Sequence, residues 1–257
     1  MIAETQRVVV IIQARMGSTR LPGKVLSLID EKPLLLYQLE RIQRATLVDQ
    51  IVIALPTNPL DDPIVEMCER NNIQYFRGSE HDVLGRYFEC AERFSADVVV
   101  RCTGDCPLID PSTIDQSLER LLSEDLDYIA NTVPPTTRKY PDGSDVEVFT
   151  MQALRRANLE VTDPHEREHV TFGFWMGKNS FTIAQLDFDQ DYSEYRYTVD
   201  YPPDLEVVQF IVDQLGKTQM FGSVEQIVSI LDSNPDVKSK NERYKFGSGW
   251  EQKSRDL

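Results

Sequence analysis

The chain is poor in positive charge and has no long apolar run. Its 257 residues include 42 Asp and Glu against 27 Lys and Arg, which gives a formal net charge of −15. Nucleic acids and anionic membranes attract basic surfaces, so this balance argues against both as partners. No apolar run approaches the roughly 18 residues that predict a transmembrane helix, and the run at residues 8–12 is too short for the core of a signal peptide. We therefore expect a cytoplasmic protein that binds neither nucleic acid nor membrane.

Cysteine pairs and zinc-binding spacings are also missing. The four cysteines form no CxxC motif, and the three histidines do not complete a zinc spacing. No Ser–His–Asp or Cys–His nucleophile can be assembled from the spacing alone, so no covalent intermediate is expected. Buried free thiols in a reducing compartment are the expected state of most of these cysteines, which are Cys68, Cys90, Cys102 and Cys106.

Two common phosphate-binding motifs are absent as well. Gly17 and Gly23 are separated by five residues instead of the four in GxxxxGK[ST], and Val25 stands where that motif has Ser or Thr. No GxGxxG occurs, so the dinucleotide fingerprint is missing. A phosphate site in this chain must therefore be of another type.

What the sequence does contain is a cationic loop after a buried strand. Residues 8–12 read VVVII, which is typical of a strand inside a parallel sheet. Glycines in the loop let the backbone approach an anion, which amide groups and cations can then bind. We expect this loop to hold a polyphosphate; the alternative is a surface turn with solvated charges. Residues 5–29 contain no Asp or Glu but four cations, Arg7, Arg15, Arg20 and Lys24.

The loop also resembles a known signature. Residues 15–24 read RMGSTRLPGK, similar to the RxxSTRLPGK signature of the cytidylyltransferases that activate acidic sugars, which are related to CMP-KDO and CMP-sialic acid synthetases. The match is closest to the subgroup of spore coat polysaccharide biosynthesis protein F-like cytidylyltransferases. The resemblance implies that the loop wraps a nucleoside triphosphate through Gln13, Ala14, Arg15, Gly17, Ser18, Thr19, Arg20, Gly23 and Lys24.

Strand and helix patterns alternate through residue 130, which indicates βαβ units and a mainly parallel sheet. The resemblance implies an α/β, Rossmann-like fold of the nucleotide-diphospho-sugar transferase type, with an inserted substrate and dimerisation subdomain. We expect one domain at residues 1–233, with the insertion at roughly 131–195, and a polar C-terminal tail at 234–257. Among the elements expected in the later chain are a helix at residues 164–175 and antiparallel strands at 181–188 and 195–199.

A second candidate site follows the fourth predicted strand, at residues 103–107, TGDCP. Ligands of parallel α/β sheets bind outside the carboxyl ends of strands, and a carboxylate facing phosphates there is placed to hold Mg²⁺. The segment resembles the QGDEP motif of the same family, which implies that Asp105 binds metal and Gly104 binds nucleotide. It departs from that motif at Thr103 and Cys106, so contacts of those two residues are not carried over. A turn-stabilising role for Asp105 is the alternative.

Asp200 is the predicted partner of Asp105 in the metal site. Residues 197–206, YTVDYPPDLE, resemble the VDTPEDLE-type segment of the family, whose first Asp completes the metal site. Alternatively, either Asp200 or Asp204 is the N-cap of the following helix.

The remaining predicted contacts are weaker. Ser79 and Arg86 stand where the family contacts the nucleotide, although Arg86 fits a solvated helix charge nearly as well. The blocks at residues 140–149 and 166–170 resemble PDGxDVEVF and EREHV, although residues 166–168 also fit a solvated helix face. These two blocks imply an acceptor pocket formed by Asp142, Gly143, Asp145, Glu147, Arg167 and His169.

Together these features predict a Mg²⁺-dependent nucleotidyltransferase, with Arg15, Lys24 and Asp105 as catalytic residues. Arg15 and Lys24 are expected to bind the leaving pyrophosphate, because alignment and charge neutralisation dominate phosphoryl-type transfer. Resemblance alone implies CTP, an acidic sugar acceptor and a homodimer. Transfer from GTP or UTP to a sugar phosphate stays open, as does a non-catalytic nucleotide-binding protein. A glycosyltransferase of the same fold is a further alternative, although its usual DxD motif is missing around Asp105.

Overall fold

The apolar run near the N-terminus forms an interior strand of a seven-stranded sheet, β1 (Val8–Gln13). The structure, a computed structural model, describes residues 6–135, 137–176, 180–218 and 222–247. The other strands are β2 (Leu28–Ile29), β3 (Lys32–Pro33), β4 (Gln50–Pro56), β5 (Gln74–Gly78), β6 (Val98–Thr103), β7 (Tyr128–Ala130), β8 (Glu147–Thr150) and β9 (Ile183–Gln185).

Ten α-helices are found in the described ranges, and most lie between successive strands. They are α1 (Leu34–Ile42), α2 (Asp62–Arg70), α3 (Val83–Arg93), α4 (Pro111–Ser123), α5 (Met151–Glu160), α6 (Pro164–Glu168), α7 (Phe172–Trp175), α8 (Pro202–Thr218), α9 (Val224–Asp232) and α10 (Pro235–Lys238).

The strand order in the main sheet is β5-β4-β1-β6-β8-β7-β9, while β2 and β3 form a separate hairpin. In the main sheet β8 alone among the described strands runs against the rest, pairing antiparallel with β6 and β7. The prediction of an α/β fold with a mainly parallel sheet is therefore confirmed.

Both faces of β1 are covered, which explains why its sequence is apolar without alternation. Val8, Val10 and Ile12 face one core that includes residues of α1, α4 and α8. Val9 and Ile11 face a second core built with α3 and α5. All four cysteines are buried free thiols, as predicted, and they are divided between these two cores.

Aspartates cap the helices that begin near the carboxyl ends of the strands. Asp82 is the N-cap of α3 and accepts a hydrogen bond from the amide of Gly85 at 2.9 Å. Asp110 caps α4 in the same way, through the amide of Ser112 at 2.9 Å. These caps satisfy amides that the first helical turn leaves free.

Two local predictions were wrong. The single helix over 164–175 is two short helices, α6 and α7, because Val170 takes a positive φ of 61° and breaks the helical path. The predicted antiparallel pair is absent from the described residues: β9 pairs parallel with β7, and 195–199 forms no strand. That buried segment bonds to loops instead, through Tyr197 N to Asp142 O (2.7 Å) and Val199 N to Asp105 O (2.8 Å).

The predicted insertion and the predicted tail both contain regular secondary structure in their described residues. From the predicted insertion, β8 and β9 are strands of the main sheet. Residues 234–247 of the predicted tail include α10 and the buried side chain of Asn241, whereas 248–257 lie outside the described residues.

Candidate active site

A cleft of about 410 Å³ lies at the carboxyl ends of β1 and β6. This is the edge where parallel α/β sheets bind ligands. The predicted site residues that line it are Gln13, Ala14, Arg15, Ser18, Thr19, Arg20, Lys24, Arg86, Gly104, Asp105, Asp142, Asp145, Glu147, His169 and Asp200. Those that are not among its lining residues are Gly17, Gly23, Ser79, Gly143 and Arg167.

The loop after β1 is folded back on itself around Met16. The carbonyl of Met16 accepts hydrogen bonds from the amides of Ser18 (2.9 Å) and Gly23 (3.0 Å). Gly23 has φ +70°, a left-handed conformation that favours glycine. The amide of Met16 donates to Asp61 Oδ1 at 2.6 Å, and Asp61 is buried. Sequence reasoning missed Asp61, which lies far from the loop in the chain and is brought to it only by the fold.

Lys24 joins the two aspartates that were predicted as metal ligands. Its Nζ donates to Asp105 Oδ2 at 2.8 Å and to Asp200 Oδ1 at 2.9 Å. Burial by itself would lower the pKa of Lys24, but the charges of Asp105 and Asp200 outweigh it and raise the pKa. Burial opposes ionisation of Asp105, yet the charge and hydrogen bond of Lys24 hold its pKa below the ordinary value. One cationic atom therefore contacts both carboxylates.

Asp200 is also bound by two arginines. Arg20 Nη2 donates to Asp200 Oδ1 at 2.6 Å, and Arg196 Nη2 donates to Asp200 Oδ2 at 3.2 Å. Arg196 also pairs with Asp142 and, through Nε and Nη2 at 3.0 Å each, with Asp204. The guanidinium thus ties together three acidic residues. In the sequence, Arg196 is marked only by its position between two aromatic residues, Tyr195 and Tyr197. Both tyrosines are buried in the structure.

Asp204, not Asp200, organises the start of α8. Asp204 is fully buried, and its Oδ2 accepts hydrogen bonds from the amides of Asp200 and Tyr201, both at 2.9 Å. The carboxylate of Asp200 is left to face Lys24, Arg20 and the cleft. This geometry favours the ligand interpretation of Asp200 over the N-cap alternative.

The predicted acceptor residues Asp142 and Asp145 meet across a tight turn. Asp145 accepts hydrogen bonds from the amide of Gly143 (2.9 Å) and from Thr132 Oγ1 (2.8 Å). Gly143 has φ +109°, and a Cβ there would collide with the backbone of Thr198, so only glycine fits. Burial and the charge of Asp145 raise the pKa of Asp142 against the opposing charge of Arg196. Gly143 therefore shapes the site without lining it.

Glu147 belongs to a buried network that reaches the nucleotide loop. Its carboxylate pairs with Arg101 and accepts a hydrogen bond from Tyr128 OH at 2.5 Å. Arg101 Nη2 donates to Gln13 Oε1 at 3.0 Å. Arg101 lines the cleft but was not predicted, although it is a lone charge inside the apolar strand sequence VVVRC of β6.

Arg167 does not fit its predicted role in acceptor binding. Its Nε and Nη2 donate to the two carboxylate oxygens of Asp82 at 2.9 and 2.8 Å. The other N–H groups donate to the carbonyls of Asn158 and Val161 and to Asn158 Oδ1. All five donors of a guanidinium are thereby used inside the protein. The solvated-face alternative is wrong as well, because Arg167 joins α6 to α3.

The other predicted contacts divide between the cleft and its surroundings. Arg86 is buried, lines the cleft and donates to the carbonyl of Ser79. Ser79 itself accepts a hydrogen bond from the amide of Asp82 at 3.0 Å and so supports the start of α3. His169 lines the cleft with its ring stacked on Phe172, the centroids 4.4 Å apart.

The charges that line the cleft are balanced, unlike those of the whole chain. Seven acidic and seven basic side chains line it among the described residues, against a net charge of −15 for the sequence. Binding of an anionic substrate therefore depends on local cations of the cleft and not on the overall field of the protein.

The family comparison decides between the kinds of protein that this geometry allows. The family described as cytidylyltransferase matches residues 9–212. The chain belongs to the cytidylyltransferase family. It is accordingly a nucleotidyltransferase, and the family named from the resemblance of the loop is confirmed.

Two relatives and one solved structure each match about nine-tenths of this chain. Uncharacterized protein MJ1063 of Methanocaldococcus jannaschii is 33% identical over 237 residues, 91% of this chain and 94% of the relative. Spore coat polysaccharide biosynthesis protein SpsF of Bacillus subtilis is 30% identical over 90% of this chain and 97% of its own. A cytidylyltransferase structure from Leptospira borgpetersenii has a TM-score of 0.83 with 30% identity, covering 91% of this chain and 97% of that chain.

A more distant structure supports the fold alone. It is a CMP:2-keto-3-deoxy-manno-octonic acid synthetase complexed with CTP, with a TM-score of 0.63, 20% identity, and coverage of 81% of this chain and 99% of that chain.

The described part of this cytidylyltransferase contains neither a candidate membrane span nor a cluster of metal-binding side chains. None of its helices combines the length and the apolarity that crossing a bilayer requires. No group of three or more His, Cys, Asp or Glu side chains within those ranges is arranged to hold a metal ion.

Proposed function

We propose that this cytidylyltransferase moves CMP from CTP onto an acidic sugar of the ulosonic or nonulosonic type and releases pyrophosphate. The observation that carries the proposal is the meeting of Lys24 with Asp105 and Asp200 beside the loop after β1. The family match supports the cytidylyl group, and the resemblance to the acidic-sugar signature supports the acceptor.

In the proposed reaction a hydroxyl of the acceptor attacks the α-phosphorus of CTP. A new P–O bond forms, the hydroxyl loses its proton, and the bond to the β-phosphate breaks. The cleft contributes mainly alignment and charge. Arg15 and Lys24 are assigned to the leaving pyrophosphate, since the loop that carries them lies at the carboxyl end of β1.

The residues fit a divalent cation, and Mg²⁺ is the proposed one. Asp105 and Asp200 offer only oxygen ligands, and two carboxylates completed by water and phosphate oxygens suit Mg²⁺. Their joint contact with Lys24 Nζ at 2.8 and 2.9 Å supports a cation shared between them. When bound, such an ion supplies neutralisation of phosphate charge and polarisation of the α-phosphate.

The acceptor is assigned to the side of the cleft formed by Asp142, Asp145 and His169. Carboxylate oxygens accept hydrogen bonds from sugar hydroxyls, and all three side chains line the cleft. A homodimer, implied by the resemblance, stays a prediction.

Asp105 provides the sharpest test. Pyrophosphate release is measured with each of four nucleoside triphosphates, Mg²⁺ and a panel of acidic sugars and sugar phosphates. The wild type is expected to turn over CTP with an acidic sugar. Asp105→Asn is expected to lose at least about a hundredfold in turnover, because charge at the reacting phosphate is lost, while circular dichroism shows an intact fold.

A carboxylate outside the cleft provides the control for this test. Asp115→Asn, which removes a carboxylate that is bonded to Thr46 and does not line the cleft, is expected to leave turnover unchanged. Normal turnover of Asp105→Asn contradicts the assignment of Asp105. Preference for GTP or UTP, nucleoside diphosphate release from a nucleotide sugar, or binding without turnover would each replace the proposed reaction.

A further inference from the structure

Residues 241–247, here called the C-terminal wall, lie against the cleft. Lys245, Phe246 and Gly247 line it together with the loop after β1. The wall is anchored by Asn241, whose side chain is buried and whose Nδ2 donates to Asp204 Oδ1 at 2.9 Å. The segment is therefore fixed to the same group of residues that positions Asp200.

Tyr244 provides a second anchor. Its ring stacks on that of Tyr201, with centroids 3.8 Å apart and planes 5° apart. Tyr201 directly follows Asp200, and the guanidinium of Arg20 lies 5.1 Å from its ring centroid. The stack thus connects the wall to the loop that carries Arg20.

Phe246 holds the wall from the other side. The guanidinium carbon of Arg138 lies 4.0 Å from the centroid of the Phe246 ring, within the range of cation–π attraction. Arg138 belongs to the segment that precedes Asp142. The wall therefore contacts both Tyr201, next to Asp200, and Arg138, in the segment that leads to Asp142, where the acceptor is proposed to bind.

Lys245 differs from most of the cations that line the cleft. Lys24, Arg20, Arg101 and Arg196 are each paired with a carboxylate. Within the described residues Lys245 has neither a hydrogen bond nor an ion pair, and its side chain is exposed.

Two other cleft cations have no carboxylate partner among the described residues, and both lie on the nucleotide side. Arg15 belongs to the loop after β1, and Arg86 lies at the start of α3. Available positive charge thus comes from two parts of the chain, the loop after β1 with the start of α3, and the C-terminal wall. A triphosphate beside the first part and a second anionic group beside the other would match this distribution.

We propose that Lys245 binds the carboxylate of the acceptor and that the C-terminal wall is the part of the cleft that selects an acidic acceptor. This assignment rests on the proposed function. The wall holds the Lys245 backbone through Asn241, Tyr244 and Phe246, and the ammonium group is left to make a charge-assisted hydrogen bond to the substrate.

Steady-state kinetics of Lys245→Gln test the proposal. Initial rates are measured with the acidic sugar that the wild type turns over, with CTP and acceptor varied in turn. The KM for the acceptor is expected to rise about tenfold, with the KM for CTP and kcat within about twofold of wild type. Lys245→Arg is expected to retain the low KM, and Lys245→Glu to raise it further, because it places a like charge beside the carboxylate.

A matched control and a matched ligand pair separate this role from a structural one. Lys240 pairs with Glu206 on the surface at 2.6 Å and does not line the cleft, so Lys240→Gln is expected to behave as wild type. The free acid of the acceptor and its methyl ester are compared as competitors of turnover. The wild type is expected to bind the acid more tightly, and Lys245→Gln to bind both equally.

Three results would overturn the assignment. If Lys245→Gln leaves the KM for the acceptor unchanged, Lys245 does not bind the acceptor, and the proposed function is unaffected. A rise in the KM for CTP alone assigns Lys245 to the triphosphate instead. Absence of wild-type turnover with every acceptor refutes the proposed function, and this assignment with it.

Discussion

Buried thiols in this protein lack the features that make cysteine reactive. Cys68 and Cys90 have no exposed surface, and burial raises the pKa of each to about 12. A raised pKa means less thiolate, which is the nucleophilic form. Cys106 lies in the cleft beside Asp105 and Asp145, and there too burial and the adjacent carboxylates raise the thiol pKa. The thiol of Cys106 therefore lies in the cleft but has little of the thiolate form that a nucleophile needs.

Alkylation measures this directly. At pH 8 the thiolate fraction of a thiol with pKa 12 is about a thousandfold below that of a thiol with pKa 9. We expect Cys68 and Cys90 to resist iodoacetamide in the native protein and all four cysteines to react in guanidinium chloride, as counted by mass spectrometry. Rapid native labelling of Cys68 or Cys90 would contradict the burial that the structure gives them.

Asp61 provides an example of a residue whose role is to hold a loop. Its carboxylate accepts a hydrogen bond from the amide of Met16, and substitution of Asp61 leaves that partly buried amide without this partner. Asp61→Ala is expected to raise the KM for CTP about tenfold, with a smaller effect on the KM for the acceptor. Asp62→Ala is the matched control, because the carboxylate of Asp62 bonds instead to Arg77 on the surface. Equal effects of the two substitutions on the KM for CTP would remove Asp61 from this role.

Among the helices, α3 and α6 are joined by Asp82. Its carboxylate caps α3 through Gly85 and accepts both hydrogen bonds of Arg167. Burial alone would raise the pKa of Asp82, but the hydrogen bonds from Arg167 and from the Gly85 amide outweigh it and lower the pKa. The stabilisation is therefore fully present above the unfolded pKa of 3.8 and is lost as the pH falls through the lower folded value.

Denaturant unfolding of Asp82→Ala tests this junction. The free energy of unfolding at pH 7 is expected to fall by about 1–2 kcal/mol, as for loss of an N-cap. The difference from wild type is expected to shrink below about pH 4. Glu66→Ala, which breaks an exposed pair with Arg70, is expected to cost no more than about 0.5 kcal/mol. A loss that is independent of pH would show that the Asp82 charge is not the cause.

At the level of whole elements, sequence patterns located most helices and strands. The start of α4, for example, is marked in the sequence by Asp110 and Pro111, residue types that favour the N-cap and the first helical position. Prediction was wrong where tertiary contacts replaced local preference. The alternating segment 195–199 looked like a strand, but its amides bond to Asp105 and Asp142 in loops. Such bonds depend on partners distant in sequence, which periodicity does not report.

The whole molecule brings the loop after β1, the turn after β6 and the start of α8 to one edge of the sheet. Parallel strands place their carboxyl ends together, so the approach of Lys24 to Asp105 follows from the βαβ order. Lys24 also contacts Asp200, which lies 176 residues later in the sequence, so this contact requires a distant part of the chain to return to the same edge of the sheet. The same return brings the C-terminal wall to the cleft, which the polar composition of residues 234–257 did not indicate.

The sequence by itself determined the buried strand β1, the acid-free cationic loop and the family, because these are written in contiguous residues. Only the tertiary structure decided which charges are available to a ligand. Arg167, expected in the acceptor site, uses all its donors within the protein, whereas Lys245, expected in a tail, lines the cleft beside the loop. The physical reason is that a side chain's pairing depends on groups far away in the chain. The cationic loop could be recognised in the sequence, whereas only the fold shows that its Lys24 contacts Asp105 and Asp200.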